Sequence, residues 1–114
     1  MVLRKEVYNK KFSNAEIAAQ FFEIFDAQKD ADLSDYLPFN KLRIVNRSTE
    51  VIYIFLDETN VNETPDYVLG ADKILDESLD EGVNFNTITI YNSDAAAAIS
   101  AGEIFVRVAK AKEF

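Results

Sequence analysis

A chain of 114 residues with 48% hydrophobic letters suits one domain with a real core, and excludes a disordered chain. It contains neither cysteine nor histidine, which excludes disulfides, thiolate metal sites, a histidine general base and the usual zinc ligands. Twelve basic residues against twenty acidic ones leave a net charge of −8, which opposes contact with a phosphate backbone unless the basic residues gather on one face.

Taken in chain order, residues 2–8 read as an edge strand: charged and apolar letters share both faces, and charge at an edge blocks unwanted pairing. The same stretch, MVLRKEVYNKKF, lacks a secretory apolar run, and no segment approaches a membrane span, so the expectation is folding in a cytosol. Residues 13–26, SNAEIAAQFFEIFD, read two ways. Ser13 and Glu16 form a capping box, and Ile17, Phe21 and Ile24 keep helical spacing, which predicts a short helix within 14–25. The strand formers Phe21, Phe22, Ile24 and Phe25 predict a strand over about 20–26, so the segment splits into a short helical turn at 14–19 and that strand, with a single helix across 14–26 as the alternative. A polar connector follows, and Pro38 ends any helix running through it.

Residues 39–46, FNKLRIVN, and 50–57, EVIYIFLD, predict two strands joined by a turn at Asn46–Thr49, together a hairpin. The second has apolar letters on both faces, as a central strand does. After the loop 57–65 comes a short strand at 66–70. Residues 72–82 leave open a helix capped by Asp72 or a strand at 73–76 followed by an acidic turn. The clearest strand is 84–91, where Asn84, Asn86, Ile88 and Ile90 alternate with Phe85, Thr87, Thr89 and Tyr91. It repeats the phrase of 39–46 as FNTITIYN over 85–92. The last strand, 103–110, follows a small-residue loop and completes a second apparent hairpin. The repeat is either a duplicated hairpin or two strands under the same demands. The whole pattern predicts a single all-β domain over 1–114: a two-sheet antiparallel β-sandwich, jelly-roll-like, with seven or eight strands and one short helix near 14–25.

Candidate chemistry is sparse. Asp26, Asp30, Asp32 and Asp35 cluster as calcium ligands do, but without the mid-loop glycine of an EF-hand, and a solvated loop is the simpler reading. Asp76, Glu77, Asp80 and Glu81 read as a charged turn rather than a glycosidase pair. No cofactor is expected. Lys5, Lys10 and Lys11 near one terminus, and Lys110 and Lys112 near the other, make a basic patch if the ends adjoin.

The stretch FNKLRIVNRSTEVIYIFLD, with FNTITIYNSDAAAAISAGEIFVRVAK, resembles small β-sandwich virion proteins of tailed bacteriophages. Leu42, Ile44 and Asn46, then Val51, Tyr53 and Asp57, Phe85 to Asn92, and Ala101, Gly102 and Glu103 carry the likeness, which covers about residues 39–110. The resemblance implies a non-enzymatic structural protein, present in repeated copies in a virion made in a bacterial cytoplasm. It implies a head decoration protein that binds the major capsid protein and its own copies, with no nucleic acid and no membrane as partner. Expected contacts are the terminal residues Val2, Leu3 and Phe114, and Ala97 and Ile99 in the 93–101 loop. The alternatives are a tail, neck or baseplate adaptor of the same fold, and a carbohydrate-binding sandwich with Tyr36, Tyr67 or Tyr91 as an aromatic platform.

Overall fold

The structure, a computed structural model, describes residues 4–26, 38–78 and 84–113. Among these residues there are eight strands and no helix: β1 (Arg4–Ser13), β2 (Phe22–Asp26), β3 (Lys41–Asn46), β4 (Ile52–Leu56), β5 (Tyr67–Leu69), β6 (Lys73–Ser78), β7 (Thr87–Asn92) and β8 (Ile104–Glu113). They form two four-stranded sheets, ordered β1-β8-β3-β6 and β2-β7-β4-β5, and every neighbouring pair is antiparallel. This wrapping is that of a jelly roll, in which one long ribbon pairing β1 with β8, β2 with β7, β3 with β6 and β4 with β5 folds over itself.

The sheets face each other through alternate side chains. Leu42 and Ile44 on β3 and Ile104, Val106 and Val108 on β8 meet Ile52 and Ile54 on β4 and Ile88 and Ile90 on β7. Each is almost fully buried. Such burial contributes roughly 1.5–3 kcal/mol per side chain. At one end, Phe39 and Phe85 tie the sheets together. Their backbones exchange two hydrogen bonds of 2.8 and 3.0 Å, and their rings lie 5.9 Å apart. At the other end, Ile17 and Ile99 form a second isolated bridge, at 2.9 and 2.8 Å.

The predicted short helix near 14–25 is not formed. Ser13 ends β1 opposite Phe105 instead of capping a helix. Ile17 is drawn into the core by its bridge to Ile99, a turn closes from Ala18 to Phe21, and Phe22–Asp26 pair with β7. Tertiary pairing of strong strand formers outweighs a local helix-start signal. Likewise Asp72 sits in a turn at φ 58°, and Lys73–Ser78 is a strand paired along β3.

The two predicted hairpins are also corrected. β3 and β4 belong to different sheets, and so do β7 and β8, so each turn crosses the sandwich instead of closing a hairpin. The repeated phrase nevertheless has a structural meaning. Exchanging β1–β4 with β5–β8 in order turns the sheet β1-β8-β3-β6 into β5-β4-β7-β2, which is the other sheet. β3 and β7 therefore occupy equivalent inner positions in the two sheets.

Candidate interaction faces

In a sandwich, the side chains that alternate with the core residues build two outer faces. On the β1-β8-β3-β6 sheet the cross-strand register aligns them in rows. One row is Ser13, Phe105, Val45 and Ile74, and the next is Lys11, Arg107, Arg43 and Asp76. The first row is largely apolar, with Phe105 46% and Ile74 54% exposed. The second places three cations directly opposite one another across three strands, a span of about 10 Å. Like charges in that relation destabilise a sheet. Asp76 relieves the row at one end, but its carboxylate is 3.8 Å from Arg43 and both side chains are about half exposed. That pair is weak by geometry and by screening. A groove of about 310 Å³ lies along the two rows, lined by Lys11, Arg43, Val45, Phe105 and Arg107 among others.

The charge is concentrated on this sheet as a whole. Its four strands hold ten of the chain's twelve basic residues and four of its twenty acidic ones, a net of +6, so the rest of the chain carries −14. The strands of the other sheet contain no basic residue.

That other sheet presents an aromatic outer face. Tyr53 and Tyr91 are cross-strand partners whose rings stack at 5.9 Å and 29°. Phe22 pairs with Tyr91 on the far side, and Val68, opposite Tyr53, is 62% exposed. Phe21 stacks on Phe22 at 5.1 Å. On the same face Phe55 and Thr89 are opposite one another and buried, and the Thr89 hydroxyl oxygen has no hydrogen-bond partner among the described residues.

A third feature lies at the sheet-crossing corners. Glu50 and Asp94 share a hydrogen bond, which raises the Glu50 carboxyl above its ordinary value. Asp94 is held below its ordinary value, chiefly by the backbone N–H groups of Ala97 and Ala96, each 2.7 Å from its Oδ1. One carboxylate is thus fixed by the loop backbone and the other carries the proton more readily.

The sequence-predicted contacts fall in different places. Ile99 is corrected: its side chain is fully buried in the core, so it is not a contact residue. Ala97 is half-buried, and its carbonyl accepts a bond from Asn92 Nδ2 at 2.8 Å. Val2, Leu3 and Phe114 lie outside the described residues, as do Tyr36, Asp30, Asp32, Asp35, Asp80 and Glu81. Tyr67 packs against the core edge, and Tyr91 is on the aromatic face. Asp76 and Glu77 are consecutive on β6, opposite Arg43 and Leu42, and so point to opposite sides. Among the described residues no three acidic side chains are grouped to hold a metal ion.

The chain ends do adjoin. β1 runs along β8, with Lys5 opposite Lys112 and Lys11 opposite Arg107. Sequence reasoning missed Arg43, Arg107 and Tyr53. Alternation puts Arg43 on one side of its strand, but the strand order that lines it up with Arg107 is not written locally.

No protein-family model matches this chain, and no curated protein does.

Proposed function

We propose that this protein is a non-enzymatic structural protein of a tailed-bacteriophage virion, acting as a head decoration protein. Its partners are the major capsid protein and further copies of itself, and neither nucleic acid nor membrane. The observation that carries the reading is the pair of unlike outer faces, one basic with an apolar border and one aromatic. A bridging protein must touch two neighbours at once, and two chemically different faces on opposite sides of one sandwich provide two separate contacts. Exposed Phe21, Val68, Ile74 and Phe105 suit surfaces that become covered on assembly. The strand lettering shared with small phage sandwich proteins supports the virion setting. The Tyr91 and Tyr53 pair replaces the buried Ile99 as the expected contact on the second face.

The test is quantitative mass spectrometry of particles purified from the producing culture. Recovery of the chain at many copies per particle is expected. Particles free of it, when the lysate contains it, overturn the virion reading. A single ring of copies at the tail junction would favour the adaptor form.

One observation favours a second reading. Stacked Tyr53 and Tyr91 beside Phe22 form an aromatic surface of the kind on which a sugar ring can lie. Calorimetry with a glycan panel tests it, and loss of binding in Tyr91→Ala is the expected signature.

A further inference from the structure

We infer that β2 is an open sheet edge at which a second copy of this chain adds its own β2, antiparallel, joining two β2-β7-β4-β5 sheets across a two-fold axis. The inference deepens the assembly reading above and rests on it only in taking the chain to act in several copies.

β2 ends its sheet, so alternate residues of its backbone turn away from β7. The register fixes which ones. The Asn92 N–H donates to the Phe21 carbonyl at 2.9 Å, and Phe22 lies opposite Tyr91. The bonds to β7 therefore fall at Phe21, Glu23 and Phe25, and the N–H and C=O groups of Phe22 and Ile24 point to the open side. Among the described residues no strand pairs with them there.

The sandwich has four edges, and the other three are blocked in the ways natural sheets use. β1 has a bulge between Glu6 and Tyr8 and contains Arg4, Lys5, Lys10 and Lys11. β6 contains Lys73, Asp76 and Glu77. β5 is only three residues long. β2 contains no lysine, arginine or proline, and its register on β7 is unbroken. It also brings apolar groups to the surface: Ile24 is 40% exposed, and Phe21, stacked on Phe22, is 58% exposed. Glu23 is a charge at this edge, but its two carboxylate oxygens accept from Ala15 N at 3.2 and 3.1 Å, which turns it back onto its own β1–β2 connection. An open edge needs another open edge. β2 is the unblocked one, so its partner is β2 of another copy.

The open groups dictate the pairing. Phe22 of each copy lies opposite Ile24 of the other, which uses every outward N–H and C=O of these two residues. The same register gathers both Phe22 and both Ile24 side chains on the outer face, next to Tyr91. Glu23 then meets its own copy at the axis. That like-charge contact costs on the order of one backbone hydrogen bond, less than the pairing gains. The blocked β1 edges keep the two first sheets from merging. A contact that uses the same surface on both copies closes at the dimer.

The experiment combines sedimentation equilibrium with amide hydrogen exchange on the full chain, as wild type, Ile24→Lys and Glu23→Gln. Far-ultraviolet circular dichroism and urea midpoints establish that each is folded, and the exchange measurement on wild type needs no variant. Wild type is expected to be dimeric at about 100 μM, with the Phe22 and Ile24 amides protected there and exchanging after dilution to monomer. Ile24→Lys places a charge in the middle of the edge and is expected to weaken association about tenfold or more (about 1.4 kcal/mol). Glu23→Gln removes the like charges at the axis and is expected to strengthen it severalfold. A wild type that stays monomeric at that concentration, a folded Ile24→Lys chain that dimerises unchanged, a dimer whose two amides exchange freely, or a Glu23→Gln chain that associates no more tightly overturns the inference. So does a trimer or larger ring, and so does a monomer whose two amides are protected only by an added alternating valine–threonine peptide. Failure here, with the chain present in virions, sinks this contact alone. A dimer paired at β2, with the chain absent from particles, sinks the virion reading alone.

Discussion

Asn46 and Asn92 hold equivalent corners of the sandwich by the same means. Each is fully buried at the end of an inner strand. Asn46 Nδ2 reaches the carbonyls of Glu50, Gly70 and Leu69, at 2.8, 3.1 and 3.3 Å. Asn92 Nδ2 reaches those of Ala97, Ile17 and Ala18, at 2.8, 3.2 and 3.3 Å. Each Oδ1 accepts the N–H two residues on, from Ser48 or Asp94. Each asparagine therefore shapes its own turn and ties it to a neighbouring connection, β5–β6 in one case and β1–β2 in the other.

Asn46→Ala and Asn92→Ala should each cost about 2–4 kcal/mol, because several buried carbonyls lose their donor at once. Aspartate at either position keeps the turn acceptor but loses the donors and buries a charge. It should be no better than alanine at neutral pH. Urea denaturation measures both, and midpoints within error of wild type would show that the corners do not depend on these bonds.

Phe39 and Phe85 join the two sheets at the opposite end. Each Phe→Ala change should cost about 3–5 kcal/mol. The contact between the rings should appear in a double-mutant cycle as a coupling of about 0.5–1.5 kcal/mol. Additivity within about 0.3 kcal/mol would mean that the rings act independently.

Gln20 and Asp72 occupy left-handed backbone, at φ 54° and 58°, in the connections just before β2 and β6. Glycine removes the Cβ strain there, so Gln20→Gly should stabilise by up to about 1 kcal/mol after its own entropy cost. Asp72→Gly should gain less, because aspartate tolerates this conformation better than glutamine does. The reverse order in thermal melts would contradict the strain argument.

The Glu50–Asp94 pair sets a pH dependence with two limbs. Asp94 titrates lower in the folded chain than in the unfolded one, so its contribution is present above the unfolded value and is lost as pH falls through the folded value. Glu50 titrates higher when folded, so its contribution is present below the unfolded value and is lost as pH rises through the folded one. Glu50→Gln keeps a neutral partner for Asp94 at every pH. It should match wild type in acid and exceed it in stability near neutral pH. A constant difference between the two across the pH range would show that the pair does not share its proton.

Most of the strands are legible in the chain. Alternation over 84–91 marks Ile88 and Ile90 as inward, and mixed lettering over 50–57 marks a central strand, which β4 is. The turns at Asn46 and Asn92 are legible as Asx chemistry. The ambiguous stretch 13–26 was not decidable locally. Ser13 and Glu16 carry a real helix signal, and only the pairing of β2 along β7 and the bridge of Ile17 to Ile99 override it. The hairpin reading of 39–57 failed for a similar reason. A short turn between two strands looks the same in sequence whether it closes a hairpin or crosses a sandwich.

The sequence by itself determined the class of fold, the positions of the strands and corners, and the absence of thiol and imidazole chemistry, because residue type and period-two burial act over a few neighbours. Only the tertiary structure decided which strands lie side by side. That choice placed Arg43 against Arg107 and Lys11, put Tyr53 beside Tyr91, and turned Ile99 inward. Strand order is set by burying all the apolar faces together, a global condition that no local stretch contains, and the candidate interaction faces follow from it.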